Sequence, residues 1–161
     1  MVEYDKMIIR IAEEKDIPSI SNLFLQGTKY HANLLPEIFK ECTEYPDRVS
    51  ILSWIKDENS DYIVVEVNGE IVGFLSVKRI SSQNLPIFQN TESVLIDSCV
   101  IDLKHRRKGL GKALFNKAKE WTKEKGIQRV QLMVWSKNVP AINLYKSLGF
   151  EDLIVKMEIS I

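Results

Sequence analysis

The sequence predicts an α/β (α+β) domain: a mixed, mostly antiparallel central sheet flanked by helices. Three observations lead there. The pair Asn68-Gly69 lies between two β-rich runs, the pattern of a tight hairpin whose two central residues both take positive φ. From residue 94 onward the chain reads strand, helix, strand, helix, an order that requires parallel strands beside the antiparallel pair. No linker, repeat or low-complexity segment interrupts the 161 residues, so one domain is expected over 1–161.

The elements follow in order. Residues 7–12 read as a first strand. Asp16 is a good N-cap for the helix after it, Pro18 falls in the first turn, and Ile17, Ile20, Leu23 and Phe24 recur at helical spacing. Residues 31–46 are mixed and hold Pro36 and Pro46, and a second helix is expected over 47–58. The hairpin occupies 61–80 and a polar loop 81–90. A strand over 94–101 leads into a glycine-containing loop and a helix ending near 125. That helix places Leu110, Leu114, Ala118 and Trp121 on its buried face, and Gly126 closes it. Residues 128–135 read as another strand, 138–148 as a helix and 153–159 as a final strand.

The 22 basic and 22 acidic residues cancel, so net charge gives no reason to expect a nucleic-acid or membrane partner. Locally, Lys104, Arg106, Arg107, Lys108 and Lys112 gather with no carboxylate between them, which suits a compact polyanion. The same run, KHRRKGLGK, leaves a basic nucleic-acid binder as a competing reading. Two cysteines, Cys42 and Cys99, form no disulfide framework, and the start has no apolar leader. No run approaches the ~20 apolar residues of a membrane span, so a cytoplasmic protein is expected. His31, His105, Cys42 and Cys99 show no metal-ligand spacing, and a Gly-x-Ser-x-Gly elbow is absent.

The most informative stretch is Arg106-Arg107-Lys108-Gly109-Leu110-Gly111-Lys112, between a strand and an amphipathic helix. A helix N-terminus offers unpaired N–H donors and the positive end of the dipole, and glycines let an anion approach the main chain. A pyrophosphate is implied. The loop lacks the spacing and hydroxyl residue of a Walker A motif, and Leu114 stands where a dinucleotide fold needs its third glycine.

The spacing Arg106-x-x-Gly109-x-Gly111 resembles the acyl-CoA signature of the GNAT superfamily of N-acetyltransferases, Gln/Arg-x-x-Gly-x-Gly/Ala. The run Asn138-Val-Pro-Ala141-Ile-Asn-Leu-Tyr145-Lys-Ser-Leu-Gly149-Phe150 is similar to its second signature, and the two together cover residues 95–150. Arg107 departs from the glycine that many relatives carry. The resemblance implies a GNAT-like acyl-CoA N-acyltransferase fold, with acetyl-CoA as co-substrate and no metal. It implies that the main chain of Arg107, Lys108, Gly109, Leu110, Gly111 and Lys112 holds the pyrophosphate, with Arg106 and its neighbours adding charge. It also implies that Cys99, Val100 and Ile101 pair with the pantetheine arm. In that scheme the Cys99 amide faces the acetyl carbonyl, and Asn138, Ala141 and Tyr145 meet the cofactor from the next helix.

Tyr145 is the candidate general acid, seven residues after Asn138 and so on nearly the same helical face. Cys99 contributes its main chain rather than a nucleophilic thiol. Asp97, two residues before Cys99, is expected on the same strand face as candidate base or ammonium ligand. Glu66, Glu92 and His31 are lesser candidates. The expected activity is acetyl transfer to a primary amine of a small molecule or peptide, by direct attack in a ternary complex. A non-catalytic acyl-CoA-binding sensor or interaction module is the alternative. Residues 31–39 and 81–90 are expected to wall the acceptor site. Pairing through exposed strand edges is common in the family, so the resemblance also allows a homodimer.

Overall fold

A computed structural model describes residues 6–82 and 85–161. One sheet carries β1 (Met7–Ile11), β2 (Ser60–Val67), β3 (Glu70–Ser81), β4 (Glu92–Ile101) and β5 (Val130–Leu132), in that spatial order. The first four run antiparallel, and β5 lies parallel to β4. The helices are α1 (Ile17–Leu34), α2 (Arg48–Lys56), α3 (Leu110–Glu124) and α4 (Val139–Ser147). None is long and apolar enough to cross a membrane. Residues 1–5 of the polar start and 83–84 of the 81–90 loop lie outside the described residues.

The sheet is buried on both faces, which is why β2 and β3 read as nearly continuous apolar runs. Ile63, Val65, Leu75, Val77 and Ile96 face Leu110, Leu114, Phe115, Ala118 and Trp121 of α3. Tyr62, Val64, Phe74 and Val100 face Ile17, Ile20, Leu23 and Ile51 of α1 and α2. The hairpin turn has the expected signs, with φ of 50° at Asn68 and 87° at Gly69. Asp47 caps α2 by accepting from Ser50 N at 2.7 Å. Gly126, at φ 72°, closes α3 through bonds from its N to Lys123 O (2.9 Å) and from Ile127 N to Thr122 O (3.1 Å).

Asp16 stands at the N-cap of α1, but its carboxylate caps nothing there. It accepts instead from Glu13 N at 2.8 Å and from Arg10 at 2.6 and 3.0 Å, while Arg10 also reaches Glu66 at 3.0 Å. This forked pair ties β1, β2 and the entry to α1 together.

Two expected strands change. The one over 128–135 shortens to Val130–Leu132, because β4 pairs with it only over Val94, Leu95 and Ile96. The one over 153–159 is absent: residues 151–161 form no strand and are exposed throughout. A strand exists only where a ladder partner satisfies its main chain, and among the described residues no main-chain hydrogen bond outside the regular elements involves 151–161.

Gly73 sets a tight spot in the sheet. A Cβ there would lie 2.6 Å from Ile101 Cδ1, 3.0 Å from Val65 Cγ1 and 3.1 Å from the Val100 carbonyl oxygen. The isoleucine tip can swing aside, whereas the carbonyl belongs to the ladder. Gly73→Ala is expected to cost about 1–3 kcal/mol through overpacking, read as a lowered urea midpoint with an unchanged m-value.

Candidate active site

The site begins where β4 leaves β5. The ladder between them spans Val94–Val130 to Ile96–Leu132, after which β4 continues to Ile101 paired only with β3. At this point a bulge sets Asp97 and Ser98 opposite Ser76, whose hydroxyl accepts from Ser98 N at 2.9 Å. Further on, Asp102 N donates to Val72 O at 2.8 Å. Because N–H groups alternate along a strand, the amides of Cys99 and Ile101 point the other way, into the opening beside β5.

The bulge corrects the expected position of Asp97. Val94, Ile96, Cys99 and Ile101 all pack in the core beneath α3, so facing shifts from even to odd residues across the extra residue. Asp97 therefore does not share the Cys99 face. Its charge instead bears on Tyr62, whose phenol is pushed well above its ordinary range by burial and, secondarily, by that carboxylate. Tyr62 belongs to the core under α1 and α2, so Asp97 looks toward that side of the sheet.

The loop after β4 is held by Asp102, which the sequence reading passed over. Its carboxylate accepts from Gln26 Nε2 (2.9 Å), Lys104 N (3.1 Å) and His105 Nδ1 (2.8 Å), while Gln26 Oε1 accepts from Leu103 N (3.3 Å). The Gln26 bond, then the His105 bond, hold the Asp102 pKa below the usual carboxylate range. An Asp two residues ahead of a turn amide was the available signal. Arg107 then takes φ 60° and Gly109 φ 82°, so the arginine occupies a left-handed conformation that glycine adopts without strain.

Helix α3 starts with no side-chain cap. Its first intrahelical acceptor, Gly109 O, is used by Ala113 N at 3.1 Å, which leaves the amides of Leu110, Gly111 and Lys112 without helical partners. The two glycines serve different ends. Gly109 is needed for its positive φ, whereas a Cβ on Gly111 would come within 3.2 Å of Leu144 Cδ2, so Gly111 lets α4 approach α3. An open cleft of about 470 Å³ adjoins the loop, lined by Arg107, Val139, Pro140 and Asn143. Arg106 points elsewhere: its Nε donates to Ile101 O at 3.0 Å, and its guanidinium lies 5.2 Å from the Tyr30 ring centroid.

Asn138 caps α4, its Oδ1 accepting from Ala141 N at 3.4 Å and from the Tyr30 hydroxyl at 3.2 Å. Both uses engage the oxygen and leave its Nδ2 donors available. Tyr145 packs against Phe115 and Phe150 at centroid distances of 5.4 and 6.0 Å. Burial raises the Tyr145 phenol well above its ordinary range, with Cys99 nearby adding to the shift. Burial likewise pushes the Cys99 thiol up to about 12, so it stays a neutral thiol. Among the described residues the Tyr145 hydroxyl has no hydrogen-bond partner.

The lesser base candidates separate from this group. Glu66 is bound by Arg10, and Glu92 accepts from Arg79 Nε at 2.9 Å. His31 joins an aromatic chain, with Phe39 at 5.3 Å and Phe39 in turn 5.3 Å from Trp135. Lys137 and Glu37 close the same bridge at 2.9 Å. The segment after α1 thus meets the segment after β5 across the opening. Among the described residues no cluster of His, Cys, Asp or Glu could hold a metal ion.

The sequence model of the acetyltransferase (GNAT) family matches residues 28–150. An uncharacterized N-acetyltransferase of Methanocaldococcus jannaschii is 37% identical over 100 residues, covering 62% of this chain and 43% of that protein. An N-alpha-acetyltransferase of Sulfurisphaera tokodaii is 35% identical over 107 residues, covering 63% of this chain and 62% of its own length. The chain thus spans about half the length of the curated relatives it matches. A crystal structure of a Bacillus halodurans protein superposes with a TM-score of 0.91 at 22% identity, over 96% of this chain and 99% of the other.

Two outcomes follow from the loop. Arg107→Gly should relieve the left-handed strain and stabilise the fold by up to ~1 kcal/mol, raising Tm by about 2–4 °C. The depressed Asp102 pKa contributes stability that is full above the unfolded value near ~3.9 and is lost as pH falls through the folded value. Asp102→Asn should therefore be less stable than wild type at neutral pH, with the gap narrowing toward pH ~2 in urea titrations.

Proposed function

The chain belongs to the acetyltransferase (GNAT) family, and from that premise we propose that it transfers the acetyl group of acetyl-CoA to a primary amine by direct attack in a ternary complex. One observation carries the reading. The uncapped start of α3, the open main-chain edge of β4 and the unpartnered Tyr145 hydroxyl belong to elements that touch, with Gly111 of α3 against Leu144 of α4 and Tyr145 near Cys99 of β4. The residues fit a diphosphate and an extended thioester arm. Amides at 110–112 lack acceptors, cations flank them, and the Cys99 and Ile101 amides form an incomplete ladder.

Coenzyme A supplies the activated acyl group and a thiolate that can leave. The chain does the rest. Amides of residues 107–112 hold the diphosphate, assisted by Arg107, Lys108 and Lys112, and charge-assisted bonds of this kind contribute roughly 1.5–3 kcal/mol each. Arg106 positions the loop by binding Ile101 O and stacking on Tyr30. The main chain of Cys99, Val100 and Ile101 aligns the arm, with the Cys99 amide donating to the carbonyl oxygen as it gains charge. Asn138 donates through Nδ2, and Ala141 lies one turn into α4 on the same side.

The acceptor enters from the side of α1 and α2, between Asp97 and the chain His31–Phe39–Trp135. Asp97 binds the ammonium and, directly or through water, removes its proton. As nitrogen bonds to the acyl carbon and the carbon–sulfur bond breaks, Tyr145 gives its proton to the sulfur and is reprotonated from solvent. The raised phenol pKa keeps that proton in place until a thiolate forms. The Sulfurisphaera relative is named for N-alpha-acetyl transfer, which supports a peptide acceptor beside small amines.

Thioester consumption over an amine and peptide panel, with mass spectrometry of products, tests the reading. Coenzyme A binding without turnover on any acceptor would favour a sensor. Tyr145→Phe should lower turnover by about 10²-fold or more, while calorimetry finds coenzyme A affinity nearly unchanged. Wild-type turnover should not fall between pH ~8 and ~10, because the acid remains protonated there. Undiminished turnover in Tyr145→Phe with chemistry rate-limiting would remove Tyr145 from the mechanism.

A further inference from the structure

Tyr62 is a buried titratable side chain that the proposed transfer leaves unused. It is 3% exposed and lies in β2 among the rings of Phe24, Trp54 and Phe74, at centroid distances of 6.1, 5.9 and 5.6 Å. A phenylalanine would fill that aromatic cluster as well. The phenol oxygen is the part that needs a reason, since among the described residues it has no hydrogen-bond partner. Native structures rarely keep a buried hydroxyl unpaired and unused.

The polar atoms nearest in the fold are engaged elsewhere. Trp54 Nε1 donates to Asp61 O at 3.2 Å, and Ser76 Oγ accepts from Ser98 N at 2.9 Å. What remains is Asp97. Tyr62 pairs with Ser76 in the ladder, and Ser76 stands opposite the bulge at Asp97 and Ser98. The three positions form one row across β2, β3 and β4, on the face toward α1 and α2. The outer two lie two strand spacings apart, roughly 10 Å between Cα atoms. Between them stands only a serine, which both longer side chains can lean over. The carboxylate is incomplete as well. Ser98 Oγ donates to Asp97 Oδ2 at 3.3 Å, while Oδ1 accepts from nothing among the described residues. The Asp97 charge adds to burial in raising the Tyr62 phenol, which keeps it a donor.

We propose that the Tyr62 hydroxyl holds the Asp97 carboxylate through one bridging water and so positions it at the acceptor entrance. Such a water has the phenol and Oδ1 as polar partners, and it completes both. Tyr62 itself touches neither the acyl group nor the amine. The bulge turns Asp97 off the Cys99 face, and the hydroxyl then selects its rotamer. Asp97 is exposed, and an exposed carboxylate otherwise samples several rotamers. A base must lie within hydrogen-bond reach of the proton that it removes. This positioning role rests on the proposed transfer, in which Asp97 takes the amine's proton; the contact itself does not.

Tyrosine ¹³Cζ NMR on the full chain reads the contact without turnover. The Tyr62 signal should move in Asp97→Asn and hold still in Glu92→Gln, a control on the same strand. In steady-state assays Tyr62→Phe should lower kcat about fivefold, the equivalent of one hydrogen bond, with coenzyme A affinity unchanged and thermal melts still cooperative. In the Asp97→Asn background the same change should have no further effect, because nothing remains to be positioned. A Tyr62 signal unmoved in Asp97→Asn would overturn the contact. Undiminished kcat in Tyr62→Phe, or losses that multiply in the double variant, would overturn the positioning role. Full turnover in Asp97→Asn would remove Asp97 as the base and the role of Tyr62 with it. If no acceptor is turned over, the transfer itself fails, and the NMR comparison alone decides the contact.

Discussion

The separation of β4 from β5 after Ile96 is the constraint on which the rest of this structure depends. A parallel pair held by three residues cannot close the sheet, so the main chain of β4 from Cys99 to Ile101 keeps one edge unpaired inside the protein. Unpaired main chain in a partly buried place is costly unless something completes it. The bulge at Asp97 and Ser98 increases the local twist and turns β4 away from β5, while Ser76 satisfies the amide that the bulge would orphan. An opening made this way has main-chain donors as its floor. Substitution of side chains can reshape its walls without removing those donors.

The start of α3 holds a second unsatisfied set, its first amides, which the proposed function assigns to the diphosphate. A serine or aspartate N-cap would fill that role internally, and Gly109 supplies none. The chain spends its capping groups one step earlier, where Asp102 fixes the turn 103–105 from within and Gln26 clasps it from α1. The loop is thereby rigid where it leaves the sheet and open where it meets a ligand. Preorganised donors of this kind need little rearrangement when charge arrives.

Local features were legible because they are written in adjacent residues. Asn68-Gly69 specified the hairpin and Gly126 its helix stop, each by a conformational demand that few residues meet. The spacing of Arg106, Gly109 and Gly111 pointed to the loop for the same reason. Long-range effects were not legible. The bulge at 97–98 reverses which residues share a face, and no residue at those positions announces it. Arg10 binds Glu66 from 56 positions away, so the sequence could not show that this lesser candidate is already engaged. Gly111 read as room for phosphate, and its closeness to Leu144, a second demand on the same glycine, could not be read. The segment 153–159 read as a strand from its alternation, which reports a buried face but not the sheet that buries it.

The two sides of the opening are not independent. Tyr30, late in α1, places its ring against the Arg106 guanidinium and its hydroxyl on Asn138 Oδ1. Arg106 in turn holds Ile101 O, at the end of the open edge. One aromatic side chain on the acceptor side therefore sets the orientation of the loop arginine, the cap of α4 and, through that cap, the helix that carries Tyr145. A stacked cation contributes only about 0.5–1 kcal/mol at a partly exposed site and a neutral hydrogen bond about as much. Their value lies in geometry: displacing Tyr30 would loosen the anion loop, the end of β4 and the start of α4 together. Those are the three places from which the proposed transfer draws its groups.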